Sequence, residues 1–242
     1  MTKEKTALVT GANKGIGREI ARRLAELDYT VWLGCREASR GQEAGGALRK
    51  EGGDVRFLQL DVADSDCVTR AAAALSRETD RLDVLVNNAG ITLDGGVAPS
   101  ALEIARMQAV FGVNVFGPVR VTQAFLPLLR AAPAARIVMM SGGLGSLAIT
   151  SDARNPLYRF NFLAYNSSKS ALNAVTVIFA KELRDGPIKV NAADPGYTAT
   201  DLNIHRGQRT VGQGAEIAVR LATLPDDGPT GGFFNDEGVQ PW

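Results

Sequence analysis

The sequence predicts an α/β fold in which a doubly wound parallel sheet carries helices on both faces. Three observations predict it. Short β-rich apolar runs alternate with longer helical patterns, two of those runs are apolar without interruption, and a glycine-rich turn follows the first run. Strict alternation of strand and helix implies parallel strands joined by right-handed crossovers. A strand covered on both faces has no polar side, which is how an uninterrupted apolar run arises.

Residues 6–10 (TALVT) are the first expected strand, and 15–27 the first helix, where Ile16, Ile20, Leu24 and Leu27 recur at helical spacing. Further strands are expected at 29–35 (YTVWLGC), 54–60 (DVRFLQL), 82–88 (LDVLVNN), 135–140 (ARIVMM), 188–194 (IKVNAAD) and 231–235 (GGFFN). Helix-length segments lie between them at 38–51, 64–79, 100–130, 163–184 and 212–224. The uninterrupted runs are those at 82–88 and 135–140. No repeat, low-complexity tract or linker divides the chain, so 1–242 is read as a single domain.

Composition narrows the function. Apolar residues make up 45% of the 242 positions, which supplies a sizeable core and excludes a disordered chain. The 27 basic and 26 acidic residues nearly cancel, so no global field favours nucleic acid or an anionic membrane. No signal-peptide pattern and no run of membrane-spanning length is read, and no membrane partner is expected. Cys35 and Cys67 are the only cysteines and show no metal-ligand spacing, so neither a metal site nor a disulfide framework is expected. That cysteine usage fits a reducing cytoplasm. The single histidine, His205, sits in a polar NIHRGQR stretch and argues against a Ser-His-Asp hydrolase.

The turn after the first strand reads TGANKGIG, with Gly11, Gly15 and Gly17 leading into the first helix. Glycines there permit a tight turn and close approach of a pyrophosphate to unpaired helix N–H groups. Asn13, Lys14 and Ile16 belong to the same expected cofactor contact. The end of the second strand selects the dinucleotide, because an acid there would hold the adenosine ribose and a base would accept a 2′-phosphate. Here it ends LGCRE, so Arg36 and Lys14 converge as a guanidinium fork and a point charge. NADPH is therefore expected over NADH. Glu37 is the counter-argument; its other reading is a favourable charge at the start of the next helix.

Within 163–184, Tyr165 and Lys169 are four residues apart and share a helix face. A free tyrosine has a pKa of about 10, and a nearby ammonium would lower it. Such a pair can protonate a carbonyl oxygen while hydride arrives at carbon. Spacing alone is equally that of a surface Tyr–Lys pair.

TGANKGIG, LDV at 60–62, NNAG at 87–90, NVFG at 114–117, YNSSK at 165–169 and DPGYTATDLN at 194–203 occur in the order found in short-chain dehydrogenases/reductases. The chain resembles that family over essentially its whole length, and most closely its NADPH-dependent carbonyl reductases. The resemblance implies a Rossmann-type sheet of strand order 3-2-1-4-5-6-7 and an enzyme that reduces a small-molecule carbonyl with NADP(H). It also implies Asp61 and Val62 at the adenine, and Asn87, Ala89 and Gly90 beside the cofactor. By the same resemblance Pro195, Gly196 and Thr198 line the nicotinamide end. Asn114 would bend the long helix and hold a water, Lys169 would bind the nicotinamide ribose, and Tyr165 would be the proton donor. A homodimer or homotetramer through 100–130 and 163–184 is the implied assembly.

One departure falls on the chemistry. The family places two serines at the end of the fifth strand, and the second is catalytic. Here MMSGGLGS puts Ser141 on the first and Gly142 on the second. Loss of one preorganised donor costs about a hundred- to thousandfold in rate. Three readings stay open: Ser141 or Ser146 swings into the role, Tyr165 works alone on activated ketones, or the chain is a weakened NADP(H)-binding sensor or scaffold. From Gly142 to Tyr165 the chain is longer than the family gap, and the added residues offer Leu147, Tyr158, Phe160 and Phe162 as apolar walls for an apolar or aromatic ketone. Residues 141–164 and 195–211 are the expected substrate loops.

Overall fold

Side chains that alternate along the central strands sort into two apolar layers, one on each face of a sheet. Leu8, Trp32, Leu85, Ile137 and Met139 point into one layer, and Ala7, Val9, Val31, Leu33, Val84, Val86 and Val138 into the other. A computed structural model supplies these contacts and describes residues 5–242. The expected domain start at residue 1 lies outside the described residues.

The parallel strands are β1 (Lys5–Thr10), β2 (Tyr29–Cys35), β3 (Val55–Gln59), β4 (Val84–Asn87), β5 (Arg136–Met140), β6 (Lys189–Ala193) and β7 (Phe233–Asn235). A two-residue strand, β8 (Gly238–Val239), pairs antiparallel with β7. Among the described residues the order is β3-β2-β1-β4-β5-β6-β7-β8, the expected order with one short edge strand added. β2, β4 and β5 are buried along their whole length, as strands covered on both faces must be.

Helices α1 (Gly15–Glu26), α2 (Ala38–Lys50) and α8 (Val211–Ala222) cover one face. Helices α3 (Ser65–Glu78), α4 (Ile104–Phe111), α5 (Gly117–Ala131) and α7 (Leu163–Glu182) belong to the other. Fully buried Phe125 and Leu129 of α5 and Leu75 of α3 anchor that second layer. Each such side chain contributes about 1.5–3 kcal/mol by leaving water. Asp64 caps α3 by accepting the N–H groups of Asp66 and Cys67 at 2.9 and 3.0 Å, a contact of about 1 kcal/mol.

Two expectations change. The 100–130 helix is not uniform: a π-helical turn, Gly112–Phe116, joins α4 to α5. Together they span Ile104–Ala131, long and apolar enough by length and composition to cross a membrane, where the sequence reading found no such run. The inner positions of this helix, among them Val110, Val115, Val121 and Phe125, are core residues of the sheet layer. The added segment before Tyr165 is not a plain loop either. It contains α6 (Leu147–Ser151), capped by Ser146 Oγ, and a short 3₁₀ turn at Pro156–Arg159.

Candidate active site

A cleft of about 900 Å³ opens along the carboxyl ends of β1, β2, β4 and β5. Its floor is the turn between β1 and α1, and glycine is required there for stated reasons. Gly11 has φ +64°, and a Cβ on it would lie 2.9 Å from Ala89 Cα. A Cβ on Gly17 would lie 2.4 Å from Asn88 Nδ2 and 2.7 Å from Gly11 O. The Lys14 side chain does not cap α1, so the first N–H groups of that helix face the cleft without a side-chain acceptor. This is the donor set that an anionic phosphate requires.

Of the expected cofactor residues, Gly11, Asn13, Lys14, Gly15, Ile16 and Gly17 line the cleft from the turn. Arg36 lines it from β2, Asp61 and Val62 from β3, and Ala89 and Gly90 from β4. Tyr165, Lys169 and Pro195 line its far end. At the opposite end Arg40, which carries no sequence signal, joins Arg36, and both guanidiniums reach Glu37, at 3.0 and 3.6 Å. Glu37 thus opens α2 as its N-cap residue while paired with two cations, which is the second reading considered for it. Lys14 is not free: its ammonium is paired with Asp201 on the loop after β6, and His205 Nε2 lies 2.9 Å from the same carboxylate.

Four expected residues stand behind the cleft wall. Asn87 is buried, with Nδ2 donating to Thr122 Oγ1 at 3.2 Å and to Met139 Sδ at 3.3 Å. Asn88, its neighbour, faces the cleft instead, and its Nδ2 donates to Thr10 O at 2.9 Å, tying β4 to β1. Gly196 donates its N–H to Asp194 Oδ1 at 2.9 Å, and Thr198 Oγ1 donates to Pro195 O at 2.9 Å. These two shape the turn rather than face the cleft, because their polar groups are engaged within it. Asn114 sits in the π-helical turn, fully buried, a placement typical of functional bulges. Its Oδ1 accepts the Ile91 N–H at 2.9 Å, and its Nδ2 donates to Ile91 O at 2.9 Å and Ser168 Oγ at 3.0 Å. Both amide hydrogens are therefore engaged, and one lone pair on Oδ1 is left for a further donor. A Cβ on Gly90 would lie 3.5 Å from that oxygen and 3.6 Å from Lys169 Nζ, so this glycine keeps the two polar ends within reach of one space.

Tyr165 and Lys169 lie side by side on the first turns of α7, with the ammonium 5.5 Å from the ring centroid. Lys169 donates to Met140 O at 2.7 Å, and burial pushes its pKa down to about 8. The expectation of a phenol brought below the ordinary range by Lys169 needs correction, because other influences outweigh the ammonium. Burial, and then the negative charge of Asp194, push Tyr165 above the ordinary tyrosine range. The phenol therefore holds its proton more tightly than an ordinary tyrosine.

Ser141 also needs correction as a catalytic candidate. It borders the cleft, but its hydroxyl donates to Asn173 Oδ1 at 2.6 Å on α7. A hydroxyl has one hydrogen to give, so it cannot simultaneously serve a substrate oxygen. Ser146 is fully buried outside the cleft lining, where its Oγ accepts the Ile149 N–H as the cap of α6. The proposed aromatic walls lie elsewhere too. Leu147 and Tyr158 are exposed, and Phe160 stacks on Phe162 at 5.8 Å. Leu157 of the added segment packs against Gly143 instead, its Cδ1 2.8 Å from where a Cβ on that glycine would be. Apolar rims that sequence did not indicate come from Ile91 and Leu93 after β4 and from Leu202 on the loop after β6.

Comparison with known proteins agrees with this geometry. Residues 5–210 match the family model described as short chain dehydrogenase. The chain is 34% identical to (−)-isopiperitenone reductase of Mentha piperita, over 96% of each chain. It is 32% identical to the rat (Rattus norvegicus) protein named carbonyl reductase [NADPH] 1, over 98% of each. The solved structure of an NADPH-bound carbonyl reductase from chicken fatty liver superposes with a TM-score of 0.87 at 28% identity, covering 99% of both chains.

Proposed function

Since this chain belongs to the short chain dehydrogenase family, we propose that it is an NADP-dependent oxidoreductase that reduces a small carbonyl compound to an alcohol, with Tyr165 as proton donor. One observation carries the reading: a phenol and an ammonium stand together in the wall of a cleft whose other end gathers Lys14, Arg36 and Arg40.

The residues fit a phosphorylated dinucleotide. The glycine cradle of Gly11 and Gly17 and the open N-terminus of α1 suit its pyrophosphate, and Lys14, Arg36 and Arg40 outnumber the two carboxylates paired with them, Glu37 and Asp201, where a 2′-phosphate would rest. Relatives with NADPH in their names or bound in their structures support the same choice. When bound, the dinucleotide supplies the hydride.

The chain's own residues then divide the remaining tasks. Lys169 is fixed by Met140 O and keeps two further N–H donors for the ribose hydroxyls. Tyr165 transfers its proton to the carbonyl oxygen as a C–H bond forms at carbon, which leaves an alcohol and a tyrosinate. The ammonium near its ring stabilises the tyrosinate, and a solvent proton restores the phenol. Ile91, Leu93 and Leu202 support an apolar or aromatic ketone. Tyr165→Phe should abolish NADPH consumption across a panel of ketones, and turnover indifferent to that change would overturn the reading.

A second reading, an NADP(H)-binding sensor or scaffold with little turnover, is favoured by one fact: Gly142 has no hydroxyl and that of Ser141 is engaged. Tight NADPH binding without turnover of any carbonyl would select it. A homodimer or homotetramer belongs to the proposal as well. Exposed Ile104 and Phe116 on the long helix, and Leu163 and Ile178 on α7, support it, and light scattering of the protein in solution tests it. The two free buried thiols, Cys35 and Cys67, accord with a reducing cytoplasmic setting.

A further inference from the structure

The missing hydroxyl at Gly142 has a neighbour with the right chemistry. Gly142 has φ 168°, an extended conformation open to any residue, so glycine is not there to relieve the backbone. A Cβ built on it would meet one thing, Asp194 Oδ1, at 3.9 Å. The space that a side chain at 142 would fill is thus faced by a carboxyl group. Asp194 follows β6 directly and is placed firmly: its N–H donates to Phe234 O at 2.7 Å, and Oδ1 accepts the Gly196 N–H at 2.9 Å. The Gly143 N–H also reaches the carboxyl, whose Oδ2 lies 3.2 Å from where a Gly143 Cβ would be.

We propose that Asp194, in its protonated form, is the second hydrogen-bond donor to the substrate carbonyl, acting in place of the hydroxyl that position 142 lacks. The inference rests on the reductase reading above. A protonated carboxyl has one O–H to give and still accepts from backbone N–H groups, so its contacts with Gly143 and Gly196 persist. No proton is transferred from Asp194. It polarises the carbonyl while Tyr165 delivers the proton and the dinucleotide the hydride, so atoms and charge balance without a further reactant.

The surroundings bear on its protonation. Burial, the largest influence, raises its pKa, and Asp236 near β7 acts in the same direction. The Gly196 and Gly143 N–H groups and Arg209 oppose this, but Arg209 is itself ion-paired with Asp236. From α7 the facing titratable group is Tyr165, whose phenol the Asp194 charge raises in turn. An ionised Asp194 would thus act against the phenol as well as against the carbonyl oxygen, whereas a protonated one leaves the site with two hydrogen-bond donors. Above the Asp194 ionisation, a carboxylate would stand beside an oxygen that is gaining negative charge, and reduction should slow.

The test uses the full chain with acetophenone as probe. In the complex with NADP⁺, the carbonyl stretch of bound acetophenone reports its polarisation by infrared difference spectroscopy. Asp194→Ala should reduce the shift to lower frequency and lower kcat by roughly a hundredfold or more. Asp194→Asn keeps an N–H donor that does not titrate. It should retain most of kcat at acid pH and lose the decline at higher pH. Gly142→Ser combined with Asp194→Ala should restore both shift and rate. An unchanged carbonyl shift in Asp194→Ala, or the wild-type pH profile in Asp194→Asn, overturns the proposal. Tyr165→Phe separates the two ideas: turnover surviving that change defeats the reductase mechanism, while the carbonyl shift still decides Asp194.

Discussion

Asp94 Oδ2 accepts the backbone N–H of Tyr165 at 3.1 Å, and its Oδ1 accepts that of Ala164 at 2.8 Å. A buried carboxylate on the loop after β4 therefore holds the first turn of the helix that carries the phenol. Its charge also complements the positive end of that helix.

Asp94→Ala should leave those two N–H groups without their acceptor. Each buried donor left so costs about 1–3 kcal/mol, and the melting temperature should drop accordingly. The fall in activity should appear in kcat more than in KM for NADPH, because the phenol moves while the phosphate-binding turn does not. Asp94→Asn keeps one carbonyl oxygen and should recover part of both losses. Equal melting temperatures for Asp94→Ala and wild type would remove the assigned role.

Gly142→Ser should fold normally, since the backbone there is extended and the new Cβ meets only an ordinary contact. With Asp194 already donating, the rate of ketone reduction should rise less than roughly tenfold at acid pH and more at alkaline pH. A rise near a hundredfold at every pH would mean that no second donor is in place.

Arg36→Ala should weaken NADPH binding by roughly tenfold and leave NADH nearly unaffected, the loss expected of one charge-assisted hydrogen bond to phosphate. Arg40→Ala should show the same sign, and the ratio of KM values for the two cofactors measures it. Equal losses for NADPH and NADH would place the 2′-phosphate elsewhere.

Lys169 offers a pH test of burial. Its folded pKa of about 8 lies below the ordinary lysine value of 10.5, so between those limits the unfolded chain binds more protons. Stability from this group therefore rises with pH across that window and is lowest below it. The melting temperature of wild type minus that of Lys169→Met should increase from pH 7 to pH 10.5. A flat difference would show that the ammonium is not desolvated.

The sheet was legible because its signal is local. Buried parallel strands such as VLVN in β4 and RIVMM in β5 need no partner information to be recognised. The phosphate turn was legible for the same reason, since glycine spacing and chain position sufficed. What could not be read depends on side-chain direction. Whether Ser141 looks into the cleft or into α7 is set by Asn173, a residue 32 positions away. Asn88 and Asn87 are adjacent yet face opposite ways, because successive strand residues alternate. Asp94 and Arg40 belong to no motif, and Asp194 opens the DPGYTATDLN stretch without that motif marking its side chain. Asp94 and Asp194 sit on loops and Arg40 on the first turn of α2, segments that meet the cleft only once the sheet has assembled.

The pair between Lys14 and Asp201 gives the cleft a toll at its entrance. On the proposed reading, one ammonium cannot serve a carboxylate and an incoming phosphate equally, so arrival of the dinucleotide should be coupled to release of Asp201. Departure should return the ammonium to Asp201. Both exposed partners are screened by salt. Ionic strength should thus govern how quickly the site empties, independently of how fast the hydride moves.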